Sequence, residues 1–276
     1  MRQSWLIWAT STAAFLLTAV AIVISGTAQE PAQGRQTTTR TQALPDGLIS
    51  GSLISSNRAA VGRDIAAGRS SQGTSFSKAA PDYQPVEQVY LAHPSNYGER
   101  FPTDVNGNVL NNPYLVVLHE TVGSASSALN LFQTNHPNDA DQVSYHTLIG
   151  LDGTVYYVVP PEQRAFGAGD SSFNGSNGEE AVFTNPDFPS SVNNFAYHIS
   201  LETPSDGQNN NSARHSGYTD AQYRSLAWLL ARSSVPNDRI TTHKAVDRSG
   251  TRSDPRSFDP QQLLSLLNQY PNRAGL

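Results

Sequence analysis

Tyr114-Leu115-Val116-Val117-Leu118 is an unbroken apolar run that ends on His119. Its length and its paired valines read as a buried strand, with the histidine delivered at the strand end. A second, shorter β-prone segment, Arg239-Ile-Thr-Thr242, ends in the same way on His243. Asp254 follows eleven residues later, and Pro255 biases it toward an extended backbone. Two imidazoles and one carboxylate can hold a tetrahedral Zn²⁺ and leave its fourth position open, the pattern of catalytic rather than structural zinc sites. A lone histidine at a strand end is ordinarily a satisfied polar residue, so the three gain meaning only from what surrounds them.

Working outward, Val86–Leu91 reads as another strand and Ser124–Asn135 as a helix with Ala128, Leu131 and Phe132 on one face. Tyr145–Gly150 and Thr154–Val159 flank Leu151-Asp152-Gly153 as a short hairpin, and Ala196–Glu202 is a further strand. Thr219 with Gln222 forms a capping box opening a helix through Ser233, with Leu226, Leu229 and Leu230 inward. Asp259-Pro260 starts a last helix through Asn268. Strands alternating with helices predict one α/β domain over residues 81–276, a central mixed β-sheet flanked by helices. Phe166–Asn193, rich in Gly, Ser and Asn, reads as a long loop walling a groove.

The chain has 276 residues, of which 37% are hydrophobic and only 15% charged, so its surface leans on Ser, Thr, Asn and Gln. A net charge of −5 argues against nucleic acid or an anionic membrane surface as the main partner. The absence of cysteine excludes disulfides and Cys-ligated metals. Arg2 precedes a run from Trp5 to Ser25 without charge, followed by the small residues Gly26-Thr-Ala28. Residues 1–28 therefore read as a signal peptide or a membrane anchor, about the ~20 residues a span needs. Either reading exports the rest to the periplasm or cell envelope, and any membrane contact runs through that segment alone. Residues 29–80, rich in Gln, Thr, Ser, Gly and Ala, read as a flexible tether.

Six stretches, taken together and in order, resemble a known family. They are Val117-Leu-His-Glu-Thr121, Val143–Ile149 with Asp152-Gly-Thr154, His198-Ile-Ser-Leu-Glu202, Tyr218-Thr-Asp-Ala-Gln222, Ile240-Thr-Thr-His243 and Arg252-Ser-Asp-Pro255 with Phe258. The chain resembles the zinc-dependent N-acetylmuramoyl-L-alanine amidases of the type-2 family, which includes peptidoglycan recognition proteins. The resemblance implies a hydrolase of the amide joining N-acetylmuramic acid to L-alanine, acting on peptidoglycan or muropeptides as a monomer. It implies Zn²⁺ on His119, His243 and Asp254, with Glu202 as general base and Tyr145 orienting water or donating to the oxyanion. Arg252 stands where many relatives carry a lysine that stabilises the oxyanion, and it supplies the charge with a different donor geometry. Thr121 fixes a ligand or the substrate backbone, or bonds locally, and His146 supports or packs behind the ligands rather than binding metal.

Two stretches depart from the family pattern. Phe166-Gly-Ala-Gly stands for W-H-A-G, and Asp254-Pro-Arg256-Ser257 for D-P-G-P. Both are expected to line the substrate groove. A peptidoglycan-binding protein of the same fold without catalysis is the rival reading, and the filled ligand positions discriminate against it. A zinc peptidase of another fold is opposed by the lack of an H-E-x-x-H motif. His93, His136 and His215 lie in polar contexts and read as surface residues.

Overall fold

The structure is a computed structural model that describes residues 81–176 and 178–273. The expected export segment and tether lie outside the described residues. Among those described, no helix is long and apolar enough to cross a membrane.

In chain order the strands are β1 (Glu87–Val89), β2 (Tyr97–Glu99), β3 (Leu115–Glu120), β4 (Thr147–Ile149), β5 (Val155–Tyr157) and β6 (Gln163–Ala165). They continue with β7 (Phe173–Gly175), β8 (Gly178–Glu180), β9 (Ala196–Leu201) and β10 (Ile240–Thr242). Four helices join them: α1 (Ala125–Gln133), α2 (Asp220–Ala231), α3 (His243–Val246) and α4 (Pro260–Leu267). Six strands form one sheet in the order β1-β5-β4-β9-β3-β10, while β2 pairs with β6 and β7 with β8. Only the β4–β5 hairpin is antiparallel within the large sheet, so the expected mixed α/β sheet is observed.

All six residues of β3 and of β9 are buried, which explains why the apolar run around Val116 shows no alternation. On one face Val116, Leu118, Ile199 and Leu201 meet Leu226, Leu229 and Leu230 of α2 and Leu263 and Leu267 of α4. On the other, Leu115, Val117 and Ala196 meet Phe173, Val182 and Val192 from the segment between residues 166 and 193. Helix α1 covers the neighbouring part of that second face with Ala128, Leu129 and Phe132 against Leu148 and Val158. Leu131 turns outward at 46% exposure and Leu129 takes the inward place, a correction of the expected helix face. The two lie on different sides of the helix, and the apolar pattern alone did not choose between them.

Helix α2 is fixed at its start by the expected capping box, in which Thr219 accepts from Gln222 N and Gln222 receives Thr219 N. The Gln222 amide also donates to Ile149 O and Glu202 O, tying the helix start to the ends of β4 and β9. The hairpin turn packs beneath the same helix, with Ser225 Oγ donating to Gly153 O at 2.6 Å. Gly153 has φ +86°, and a Cβ there would stand 2.9 Å from Ser225 Oγ and 3.0 Å from Ala221 O. Gly153→Ala therefore combines left-handed strain with a backbone clash. We expect it to cost more than about 1 kcal/mol and to lower the melting temperature by several degrees, read by thermal unfolding.

Candidate active site

The register of the sheet brings the two histidines together. Strands β3 and β10 are parallel, with Thr242 opposite Leu118, so the next residue of each strand, His243 and His119, reaches the same sheet edge. His119 remains in β3 and is fully buried, whereas His243 begins α3, whose first turn is capped by the Thr242 hydroxyl. Their rings lie 4.6 Å apart at 61°. Asp254 returns from the following loop, and its carbonyl accepts Lys244 N at 2.9 Å. Its carboxylate lies 3.3 Å from His119 Nδ1 and 3.1 Å from His243 Nδ1.

One atom from each of these three residues falls within 4.8 Å of the other two. Buried polar atoms normally find a partner, yet His119 Nδ1 is buried and makes no hydrogen bond. Burial pushes the His119 pKa down to about 4, so the ring is neutral at pH 7 and offers a lone pair. Burial alone would raise the Asp254 carboxyl, but the two imidazoles beside it more than offset that and hold it below the usual carboxylate range. A neutral imidazole with an unused nitrogen beside an ionised carboxylate is a donor set that zinc fits.

His243 and Asp254 open into a cleft of about 460 Å³, lined also by Tyr145, Arg164 and Arg252, with His119 buried behind them. Phe166, Gly167, Asp170, Thr184, Phe188 and Asn193 form much of its wall, so the segment expected as one long loop does border a groove, but it carries the β7–β8 hairpin within it. Tyr145 stacks on His119 with centroids 4.3 Å apart, and its edge meets Phe132. Its pKa is raised above the ordinary phenol value, first by burial and then by the Asp254 charge, so the hydroxyl stays protonated. Arg252 stands exposed at the same cleft, its backbone N–H held by Asp247 Oδ2 at 2.9 Å. Arg164 is stacked against Phe101 and Phe166, with its guanidinium 4.7 and 5.2 Å from the ring centroids.

Glu202 is not brought to this cleft. Its Oε1 accepts Ala125 N at 2.8 Å, at the start of α1, and its Oε2 accepts Leu151 N at 2.9 Å in the hairpin turn. The carboxylate caps a helix N-terminus, where its charge and acceptors satisfy orphan donors. Thr121 follows the local alternative: its hydroxyl donates to Gly123 O and accepts Thr203 N. His146 is fully buried behind the centre, with Nδ1 accepting His198 N at 2.9 Å. His93 and His136 are half-buried, their rings bonded to Ser95 and Asn96.

His215, expected at the surface, has a fully buried ring, with Nε2 3.1 Å from Glu120 Oε2. Glu120 is one of the residues the sequence reading passed over. It accepts from Arg256 Nε at 2.5 Å and from Tyr218 at 3.2 Å, and it forms part of the cleft floor. Arg256 donates further to Gly207 O and Ser212 O. The pair joins the residue after His119 to the residue two beyond Asp254, clamping the segments that carry these two side chains. The signal lay in Arg256, a charge inside an otherwise conventional turn, but its partner is 136 positions away.

Two outcomes separate these roles. Arg256→Met leaves Glu120 buried without its cation and is expected to cost about 3–5 kcal/mol in denaturant unfolding. Glu202→Gln removes one of two acceptors at backbone N–H groups and is expected to cost about 1–3 kcal/mol. Turnover by the folded Glu202→Gln protein should stay within a few-fold of wild type, because the side chain does not reach the cleft.

A sequence model of the N-acetylmuramoyl-L-alanine amidases matches residues 110–257, more than half of the chain. None of the curated proteins matches it in sequence. Among solved structures it is similar to a selenomethionine derivative of AmpD, with 27% identity and a TM-score of 0.46 over 67% of this chain and 96% of that one. Citrobacter freundii AmpD is 27% identical with a TM-score of 0.40, covering 66% of this chain and 90% of that chain. AmiD from E. coli, solved with its substrate, is 19% identical with a TM-score of 0.41, covering 62% of this chain and 65% of that chain. The family match spans His119, Tyr145, His243, Arg252 and Asp254 alike, and the chain belongs to the N-acetylmuramoyl-L-alanine amidase family of peptidoglycan hydrolases.

Proposed function

We propose that this amidase is zinc-dependent, with His119, His243 and Asp254 as the protein ligands and muropeptide or peptidoglycan as the substrate in the cleft. The observation that carries the reading is the convergence of three ligand atoms within 4.8 Å at the cleft, one of them a buried imidazole nitrogen without a hydrogen bond. Zinc held there supplies Lewis acidity, activating water and polarising the amide carbonyl. Tyr145, held flat against His119 and kept protonated, donates a hydrogen bond toward the reacting oxygen. Arg252 adds a permanent positive charge where negative charge grows in the transition state. The wall formed by Phe166, Phe188 and Asn193 restricts water and orients the glycan and peptide on either side of the amide. We also infer export of the domain to the cell envelope, supported by Arg2 and the uncharged run from Trp5 to Ser25.

Metal analysis of the purified chain is expected to give one zinc per protein, and His119→Ala, His243→Ala or Asp254→Ala should each weaken binding strongly. If His146→Ala abolishes zinc binding while His243→Ala does not, the ligand assignment is wrong. Mass spectrometry of digested peptidoglycan should show free peptides beginning with L-alanine. Tyr145→Phe should keep zinc and lose roughly a hundredfold in kcat, the scale of removing one oxyanion donor.

A further inference from the structure

Behind the ligand His119 lie two more buried imidazoles, those of His198 and His146, and neither belongs to the proposed ligand set. The His119 Nε2 and His198 Nδ1 atoms are 2.9 Å apart. The His146 and His198 rings are stacked at 5.8 Å, nearly parallel at 10°. We propose that His198 is a positioning residue for the metal centre, its Nδ1 accepting the proton of His119 Nε2 and so holding His119 in the tautomer that turns Nδ1 toward the metal.

The hydrogen bonds fix the protons one ring at a time. His198 donates its backbone N–H to His146 Nδ1, so that nitrogen carries a lone pair. The proton of neutral His146 is therefore on Nε2, 3.1 Å from the acceptor Gln163 O. Arg100 lies 3.2 Å from the same nitrogen but spends its donors on Asn194 O, Pro161 O and Ala196 O, which locks the ring from behind. Between His119 and His198 there is room for one proton. His119 Nδ1 faces Asp254 at 3.3 Å on the side of the proposed ligands, and a nitrogen that binds a metal must carry a lone pair. The His119 proton is then on Nε2, and His198 Nδ1 accepts it.

This arrangement leaves the remaining proton of His198 on Nε2, and that atom is buried without a partner. The backbone makes room for the ring as well. A Cβ at Gly167 would lie 2.6 Å from His198 Cγ and Nδ1, so any side chain at 167 would collide with the imidazole. Gly167 in the cleft wall is thus the condition for the imidazole that β9 supplies at His198. A hydrogen-bond acceptor on the far nitrogen of a ligating imidazole sets its tautomer and ring angle and raises its basicity.

The inference rests on the proposed zinc site, and the experiment separates the two. Zinc affinity of the full chain is measured by competition with a chromophoric chelator, together with the visible absorption of the Co²⁺-loaded protein. His198→Leu fills the space without an acceptor and should weaken zinc roughly 10- to 100-fold and shift the Co²⁺ bands. His198→Asn, whose amide oxygen falls near the Nδ1 position, should stay within a few-fold of wild type. Gly167→Ala, which displaces the ring without altering it, should move in the direction of His198→Leu, and it carries the test if His198→Leu does not fold. Wild-type affinity and spectrum in a folded His198→Leu or in Gly167→Ala overturn the inference, as does an equal loss in Leu and Asn, which would assign the effect to packing. A wild-type chain that takes up no zinc overturns the metal reading and this inference with it.

Discussion

The parallel pairing of β3 with β10 is the constraint on which the site depends. Parallel strands end at the same edge, so residues following a matched pair in register emerge side by side. Thr242 opposite Leu118 therefore makes His243 and His119 neighbours, although 124 positions separate them in the chain. That edge is the carboxyl end of the central strands, where open α/β sheets place their ligand clefts. A slip of one residue would send His119 to the opposite face, into the leucines of α2 and α4. The register is in turn held by burial: β3 and β9 are covered on both faces, and a one-residue slip would exchange Val116 and Leu118 with Leu115 and Val117 between the two layers.

Around that edge the protein has placed its charges and its neutral groups differently. On the side of His119 that faces His198 and His146, desolvation lowers the pKa of all three rings, and the imidazoles act as uncharged donors and acceptors. On the other side, Glu120 and Arg256 meet as ions at 2.5 Å, with His215 and Tyr218 completing the carboxylate's partners. A buried pair of this kind adds little net stability against an apolar substitute, but breaking it is expensive. Its use here is geometric: the bond spans from the strand carrying His119 to the turn carrying Asp254. His119, His243 and Asp254 come from a strand, a helix start and a loop, and the loop residue has no ladder to hold it in place.

Much of this was legible in the chain because the features were local. The unbroken run before His119, the capping box at Thr219 and the Asp-Gly turn at 152–153 each announce one element within a few residues, and each is found in place. That His119, His243 and Asp254 cluster was legible through the order of short stretches rather than through any one of them. What escaped were pairings across the sheet. His198 sits inside Ala196–Leu201, where nothing in the neighbouring residues tells a buried relay from a packed polar side chain. His215 lies among Ser, Arg and Gly and looked exposed, yet a carboxylate 95 positions away draws its ring inside.

Glu202, expected from the sequence as a general base, shows how the end of a strand decides where a side chain goes. Along β9 the alternation puts His198 and Ser200 on the face that carries His119, and Glu202 continues the same parity. Parity, however, governs direction only while the chain remains in the strand, and β9 ends at Leu201. One residue beyond, the Glu202 N–H still bonds to Ile149 O, but the side chain meets the first N–H of α1 and the turn N–H of Leu151 before it can reach the cleft. Two backbone donors without other partners are a stronger claim on a carboxylate than a solvated groove. The side chains that do reach the cleft beside His243 and Asp254 include Tyr145 and Arg252, groups that donate hydrogen bonds and charge.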